Sequence, residues 1–245
     1  MEAVGAHEGG APAKQLAREA GLPLATAYHL LRTLVHDGYV HRLPDGGFVV
    51  GDKLHTLQVG SRGQALLNRV RPTLAGLRDT LSAAAYLTFY EDGEIRVAEI
   101  VDSPRAPRVD LWVGFEDAGH ATALGKCVLR ELGDEARSDY LSRHPLADLT
   151  PRTVTRPAEL LRRLDASAAG EPVIDLEEYA LGTVCFAVPV YSGDQLGSLG
   201  VSLQAGRVGL AGQAGQTDRT ARLEEIRERL LPTADRVTRS LSLTI

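Results

Sequence analysis

The segment Thr122–Lys126 (TALGK) has the features of a small anion-binding site. It begins a helix that the sequence predicts over Ala121–Leu132. The backbone N–H groups at the start of a helix, together with the positive end of the helix dipole, make a natural seat for a carboxylate. A plainer interpretation is that Thr122 caps the helix and Gly125 permits close packing. Both interpretations can hold at once.

A second helix, predicted over Leu24–Asp37, presents polar side chains on one face. Its apolar face is formed, at spacings of three and four residues, by Ala27, Leu30, Leu31 and Leu34. The opposite face carries Ala25, Tyr28, His29, Arg32 and His36. Gly38 stands where a glycine commonly ends a helix. The pattern therefore predicts a helix that is buried on one side only.

The flanking segments complete a recognisable unit. A short helix is predicted over Lys14–Ala20, before the polar-faced helix. The runs Tyr39–Leu43 and Phe48–Val50 follow it around a Pro-Asp-Gly-Gly turn and predict a β-hairpin. Helix, tight turn, helix and hairpin are the order of a winged helix-turn-helix.

The polar face has the residue types of a recognition helix, which reads base edges in the major groove with its outward side chains. The candidates for DNA contact are Thr26, Tyr28, His29 and Arg32, with Arg42 on the wing placed for a phosphate. An ordinary solvated helix face and a winged helix that binds protein remain the alternatives.

Charge argues mildly against nucleic acid, because the 245-residue chain has a formal net charge of -5. Phosphate neutralisation by Lys and Arg supplies most of the affinity of DNA-binding proteins, so a DNA-binding role must rest on local pattern. No apolar run approaches the roughly 18 residues of a membrane span. No export signal is recognisable, so we expect a cytoplasmic protein without a membrane partner.

Catalytic and metal-binding motifs are not recognisable. Cys127 and Cys185 belong to no CxxC or Cys/His cluster, so we expect no metal site and no cofactor. A nucleophilic enzyme needs a base within hydrogen-bond reach, and Cys185 has no recognisable His partner. Glu177 and Glu178 are adjacent carboxylates, but neighbouring side chains in a strand or turn point apart. We therefore predict no catalytic residues and no enzyme.

The chain divides into a winged helix-turn-helix at 1–52, a linker helix at 53–70 and a second domain at 71–245. In the second domain predicted strands and helices are mixed, which indicates an α+β fold with a largely antiparallel sheet flanked by helices. Its strands are predicted over Tyr86–Val101 (a hairpin), Val109–Val113, Thr183–Val190 and Leu196–Leu203. Its further helices are predicted over Asp134–Arg143, Ala158–Ala168 and from Asp218 onward, where Pro232 should kink or divide the last helix.

Four stretches together resemble the IclR-type transcriptional regulators, in that family's order and spacing over nearly the whole chain. They are AKQLAREAGLPLATAYHLLRTLVHDGYVHRLPDGGFVVGDKLHTL, GHATALGKCVL, LTPRTVTRPAELLRRLDASAAG and VIDLEEYALGTVCFAVPV. The TALGK segment and the D-x-EE-x3-G-x2-C-x-A segment are the most specific. The resemblance implies a GAF-like effector-binding domain, a homodimer or dimer of dimers, and control of binding to double-stranded operator DNA by a small-molecule effector.

The resemblance also implies effector-binding residues, position by position. They are Ala123, Leu124, Gly125, Asp175, Thr183, Cys185 and Ser202. Residues at alternate positions of a strand share a face, so the side chains of Thr183 and Cys185 should point the same way. Asp175 could instead be only a cap, and Cys185 only core. A buried Asp beside an acidic ligand would need a proton or a donor partner.

The chain departs from the family pattern in three places. The family usually has a helix before the one at Lys14, and Met1–Val4 resembles only its tail; either the start codon is annotated late or the helix is missing. A missing helix would expose the apolar residues Leu16, Leu30, Leu31 and Leu34. In the recognition helix Leu24 and Ala25 replace polar or basic residues, and His29 replaces a frequent Arg. Gly200 stands where a further Ser is common, which would make the pocket roomier or less polar.

The sequence thus predicts a regulator whose operator affinity is set by a small organic metabolite, an acid or an aromatic acid, bound in the second domain. Two alternatives remain. One is a small-molecule sensor that acts through protein contacts, and the other, weaker one is an enzyme built on the GAF-like domain.

Overall fold

The computed structural model describes residues 1–7, 9–109, 114, 117–167, 170–208 and 216–242. The chain divides into two compact units, Met1–Ala65 and Leu66–Ile245. Helix α4 (Asp52–Leu81) begins in the first unit and ends in the second. It continues through Pro72 and so extends beyond the linker helix predicted at 53–70.

In its described residues, the first unit has three helices before α4 and a small antiparallel sheet in the order β1-β3-β2. Its elements are α1 (Glu2–Gly5), β1 (Ala11–Pro12), α2 (Ala13–Glu19), α3 (Leu24–His36), β2 (Val40–Arg42) and β3 (Gly47–Val50). The predicted glycine stop after α3 is present: Gly38 has φ +77°, and the Tyr39 N–H donates to the Leu34 carbonyl over 2.9 Å. Because glycine adopts positive φ without a Cβ clash, it ends the helix and turns the chain into β2.

The core of the first unit lies between α1, α2, α3 and the sheet. Leu16 and Leu31 are both 4% exposed and pack in one cluster with Val4 of α1. The prediction for α3 was wrong at Leu30, which is 49% exposed. At about 100° per residue the buried stripe is centred between Ala27 and Leu31 and extends towards Val35, so that Leu30 falls outside it.

The second unit is built on a five-stranded antiparallel sheet with the strand order β5-β4-β8-β7-β6. Its strands are β4 (Ala84–Glu91), β5 (Glu94–Val101), β6 (Val173–Leu176), β7 (Thr183–Ser192) and β8 (Gln195–Gln204). The predicted hairpin is present: Asp92 and Gly93 both have positive φ, as a tight hairpin turn requires. Strand β6 was not predicted, and the strand predicted over Val109–Val113 is not formed at Val109 and otherwise lies outside the described residues.

Helices cover both faces of this sheet. They are α5 (Ala123–Glu131), α6 (Asp134–Arg143), α7 (Pro157–Asp165) and α8 (Gln216–Ser242), and α8 passes Pro232 without being divided. On one face the carboxyl half of α4 and helix α8 form the main core, represented by Leu74, Phe186, Leu199 and Leu230. On the other face α5 packs against β4, β6 and β7.

Candidate functional site

Three of the predicted effector residues form one row across the sheet, on the face that α5 covers. In the strand register Asp175 of β6 is opposite Cys185 of β7, and Cys185 is opposite Ser202 of β8. Ala84 of β4 continues the row beyond Ser202. Asp175 therefore lies within a strand. The pairing brings together residues that are 27 positions apart in the chain.

An enclosed space, which we call the inner cavity, lies between this row and the start of α5. It is lined by Tyr86, Val109, Thr122, Ala123, Leu124, Asp175, Tyr179, Cys185 and Val201. Its volume is about 20 Å³, enough for about one water molecule. Four predicted effector residues line it: Ala123, Leu124, Asp175 and Cys185.

The start of α5 confirms the cap and close packing predicted for the TALGK segment, and two residues of the segment also face the inner cavity. The Thr122 hydroxyl accepts the Gly125 N–H at 3.0 Å and so caps the helix, while Ala123 and Leu124 line the inner cavity. A Cβ at Gly125 would lie 2.3 Å from the backbone of Gly119. Gly125 therefore permits close packing behind the cavity wall, and it is not among the lining residues.

The carboxyl group of Asp175 is buried at the inner cavity, and its pKa is unusual for this reason. The residue is 1% exposed, and burial raises its pKa to about 7, although nearby Lys126 and hydrogen bonds from backbone N–H groups oppose the shift. One of those donors is the Glu178 N–H, 2.6 Å from Oδ1. At neutral pH the carboxyl can therefore either donate or accept a hydrogen bond. The pKa of the Cys185 thiol is also raised, by burial first and by the neighbouring Asp175 second.

A buried ion pair supports the turn that follows Asp175. Lys126 Nζ lies 2.7 Å from Oε1 of Glu178 and donates to the Ile174 carbonyl at 2.9 Å. Both side chains are less than 10% exposed. Glu177 points away from Glu178 and pairs with Arg152, so the two adjacent glutamates do not form a carboxylate pair. Lys126 thus ties helix α5 to both ends of the segment that carries Asp175.

The two remaining predicted effector residues lie in a neighbouring depression, which we call the outer groove. It has a volume of about 420 Å³ and is lined by Ser82, Pro104, Arg105, Ala106, Pro107, Arg108, Val109, Ala180, Leu181, Thr183, Ser202, Leu203, Gln204 and Arg207. Thr183 and Ser202 therefore belong to this groove. Tyr86 lies between the two spaces: its hydroxyl is 3.0 Å from Ser202 Oγ and accepts the Val109 N–H at 2.9 Å.

Four of the five predicted DNA-contacting residues line one concave surface of the first unit. It is lined by Ala25, Tyr28, His29, Arg32, Val35, Arg42 and Phe48, from helix α3 and the wing strands. Tyr28 is 53% exposed. The Arg42 guanidinium lies 5.9 Å from the centre of the Phe48 ring, which orients it beside the helix. Thr26 is exposed on α3 outside this surface.

Comparison with known proteins shows the family of the chain. Residues 61–239 match the family model described as bacterial transcriptional regulator IclR C-terminal, and residues 1–44 match that of the IclR helix-turn-helix domain. The chain belongs to the IclR family. It is therefore a DNA-binding transcriptional regulator with an effector domain, of mixed α+β fold.

Among IclR-family relatives, the HTH-type transcriptional regulator TtgV of Pseudomonas putida is 31% identical over 188 residues, covering 76% of this chain and 71% of that protein. The transcriptional repressor IclR of Escherichia coli is 27% identical over 197 residues, covering 78% and 71%. The structure of an IclR homologue complexed with 4-hydroxybenzoate, from Microbacterium hydrocarbonoxydans, shares the fold with a TM-score of 0.62. It is 23% identical and covers 99% of this chain and 96% of that one.

These relatives are transcriptional regulators and not enzymes, which confirms the prediction for this chain. Within the described residues no group of three His, Cys, Asp or Glu side chains is placed to hold a metal ion. None of the helices in the described part of the chain is long and apolar enough to cross a membrane.

Two residues of the candidate effector site were not predicted from the sequence. Tyr86 is 116 positions from its partner Ser202, and Lys126 is 52 positions from Glu178. Lys126 belongs to the TALGK segment, and a lysine on an otherwise buried helix was a signal that it needed a partner. Nothing local marks Tyr86, because an aromatic residue on a strand is most often core.

Proposed function

We propose that this regulator binds double-stranded operator DNA through the α3 and wing surface, and that an organic acid bound beside Asp175 sets its operator affinity. The observation that carries the effector part is the buried Asp175 carboxyl facing the inner cavity. A carboxyl that titrates near neutral pH can donate a hydrogen bond when protonated and accept one when ionised, so it can bind a polar group of the ligand. Thr26, Tyr28, His29, Arg32 and Arg42 are the proposed DNA contacts.

Two observations support the ligand class: the residues that line the inner cavity, and the ligand bound to a homologue of similar structure. The inner cavity is lined mainly by apolar and backbone groups, which fit a ring or an aliphatic body. The homologue from Microbacterium hydrocarbonoxydans was crystallised with 4-hydroxybenzoate. We therefore propose a small carboxylic acid, aromatic or aliphatic, and choose 4-hydroxybenzoate as the first probe. Ala123, Leu124, Gly125, Asp175, Thr183, Cys185 and Ser202 are the proposed effector-site residues.

The proposed mechanism is a two-state equilibrium. The effector can shift operator affinity only by its differential affinity for the two states, and the coupling acts equally in both directions. We propose that residues 1–52 form the DNA-binding domain, residues 53–70 the linker helix and residues 71–245 the effector-binding domain. Two or four copies would sum half-sites, which compensates for the few cations of each DNA-binding unit. Such a regulator would work in the cytoplasm.

A gel shift with DNA from upstream of the protein's own gene tests this proposal. The wild-type chain should bind that DNA in preference to a shuffled sequence, with affinity that falls steeply as salt rises. The double variant Tyr28→Ala/Arg32→Ala should lose the preference. Arg239→Ala, an exposed position on α8, is the control for loss of one positive charge. Equal binding of both DNAs by the folded wild-type chain would reject the regulator proposal and favour a sensor that acts through protein contacts.

A further inference from the structure

The inner cavity is too small for an organic acid as it stands. Its volume of about 20 Å³ holds about one water molecule, whereas even small-molecule sites commonly exceed ~300 Å³. A ligand that reaches Asp175 must therefore also use neighbouring space. The outer groove is the adjacent space, because Val109 lines both and the Tyr86–Ser202 hydrogen bond lies between them.

The two spaces differ sharply in charge. Three arginines line the outer groove, Arg105, Arg108 and Arg207, and among its described lining residues there is no Asp or Glu. This concentration of positive charge is notable in a chain whose formal net charge is -5. Asp102 pairs with Arg108 from outside the lining and offsets one charge. The groove retains an excess of cations that would attract an anion.

The inner cavity offers the opposite environment. Asp175 contributes a carboxyl group to its lining. The nearby cation Lys126 does not face a ligand there, because its ammonium group donates to Glu178 and to the Ile174 carbonyl. The start of α5 supplies only a partial charge of about half a unit, and the Thr122 hydroxyl already accepts the Gly125 N–H there. A carboxylate placed in this cavity would lie close to another carboxyl group, so the inner cavity favours a neutral group that can donate a hydrogen bond.

We propose that an acidic effector binds across both spaces, with its carboxylate among the arginines of the outer groove and its opposite, neutral end beside Asp175. This inference rests on the effector-binding function proposed above and gives it an orientation. The ligand class is a carboxylic acid that carries a hydroxyl or similar donor at the far end of a short rigid body. Tyr86 and Ser202 must exchange their mutual hydrogen bond for contacts with the ligand. Arg105 and Arg207 become specificity-determining residues.

Calorimetric titration of the full chain with 4-hydroxybenzoate and with its methyl ester tests the orientation, because the ester replaces the negative carboxylate with a neutral group that is larger by one methyl. Wild type should bind the acid at least tenfold more tightly than the ester. Arg105→Ala/Arg207→Ala should reduce the affinity for the acid about tenfold or more, since hydrogen bonds to charged groups are lost. The same variant should change the affinity for the ester by less than about twofold. Arg105→Lys should retain most of the affinity for the acid, because it keeps the positive charge.

Arg229→Ala/Arg239→Ala, which removes two exposed arginines of α8, is the matched control and should change the affinity of neither probe. If Asp175→Asn weakened binding of the acid about tenfold and the double arginine variant did not weaken it, the proposed orientation would be wrong. The carboxylate would then lie at the start of α5. Failure of wild type to bind 4-hydroxybenzoate at millimolar concentration would overturn the ligand class. In either case sequence-specific binding in the gel shift would show that the regulator proposal itself survives.

Discussion

The Tyr86 hydroxyl lies 3.0 Å from Ser202 Oγ and so connects strands β4 and β8 across the face that α5 covers. The same hydroxyl accepts the Val109 N–H at 2.9 Å. One side-chain oxygen therefore satisfies two groups and separates the inner cavity from the outer groove. Burial raises the pKa of this phenol to about 12, so it stays protonated and keeps a proton to donate.

Tyr86→Phe should destabilise the second unit and open the wall between the two spaces. The change leaves the Val109 N–H and the buried Ser202 hydroxyl without their partner, which costs about 1–3 kcal/mol. Urea unfolding monitored by circular dichroism measures this cost. Ser202→Ala serves as the comparison and should cost less, because the tyrosine still accepts from Val109. Equal stability of Tyr86→Phe and wild type would contradict the role of the hydroxyl in the wall.

Gly125 and Gly76 are both helical glycines, and alanine should have opposite effects at the two positions. A Cβ at Gly125 would lie 2.3 Å from the Gly119 backbone, while a Cβ at Gly76 meets nothing within 4 Å. Gly125→Ala should therefore destabilise the protein by about 1–3 kcal/mol through overpacking. Gly76→Ala should stabilise it by up to about 1 kcal/mol, because alanine favours helices. Thermal unfolding of the two variants measures the difference, and a shift of the same sign in both would contradict the packing argument.

Sequence reasoning succeeded where the cause is local. The glycine stop at Gly38 and the turn at Asp92 depend on a few neighbouring residues, and both are present. Strand β6 was missed because it has only four residues, and its acidic flank at Glu177 resembles a turn. The division of the effector residues between two spaces could not be predicted, because it depends on a Tyr86 hydroxyl that arrives from 116 positions away.

Lys126→Met should be strongly destabilising. It leaves the Glu178 carboxylate buried without its cation, and breaking one half of a buried ion pair typically costs about 3–5 kcal/mol. The double variant Lys126→Met/Glu178→Met should recover much of this loss, because it removes both charges together. A double-mutant cycle measured by chemical unfolding gives the coupling between the two residues. Additive single effects would contradict the direct pairing seen in the structure.

Asp175 should make the stability of the second unit depend on pH. Its pKa is raised to about 7 in the folded protein, whereas an unfolded Asp titrates near 3.9. Between these values the native state holds a proton that the unfolded chain has released, so this contribution to stability is lost as pH rises from about 4 to 7. Asp175→Asn removes the effect and keeps an acceptor for the Glu178 N–H.

The free energy of unfolding of the variant should therefore match that of wild type near pH 4. Above pH 7 it should be higher than that of wild type by an amount on the order of 4 kcal/mol. Chemical unfolding of both proteins from pH 4 to 8 measures the difference, in which titrations elsewhere in the chain cancel. A constant difference across this range would show that Asp175 is ionised in the folded protein throughout.

Arg42 should contribute to DNA affinity without contributing to sequence preference. The first unit has equal numbers of basic and acidic residues, six of each within residues 1–65, so each cation on the proposed DNA-binding surface should carry a large share of the electrostatic attraction. Arg42→Ala should weaken specific and shuffled DNA alike and reduce the slope of log affinity against log salt by about one. Tyr28→Ala should instead reduce the preference for the specific site and leave that slope unchanged. Gel shifts across a salt series, with Arg239→Ala as the control, separate the two effects; an unchanged slope in Arg42→Ala would remove the wing arginine from the phosphate contacts.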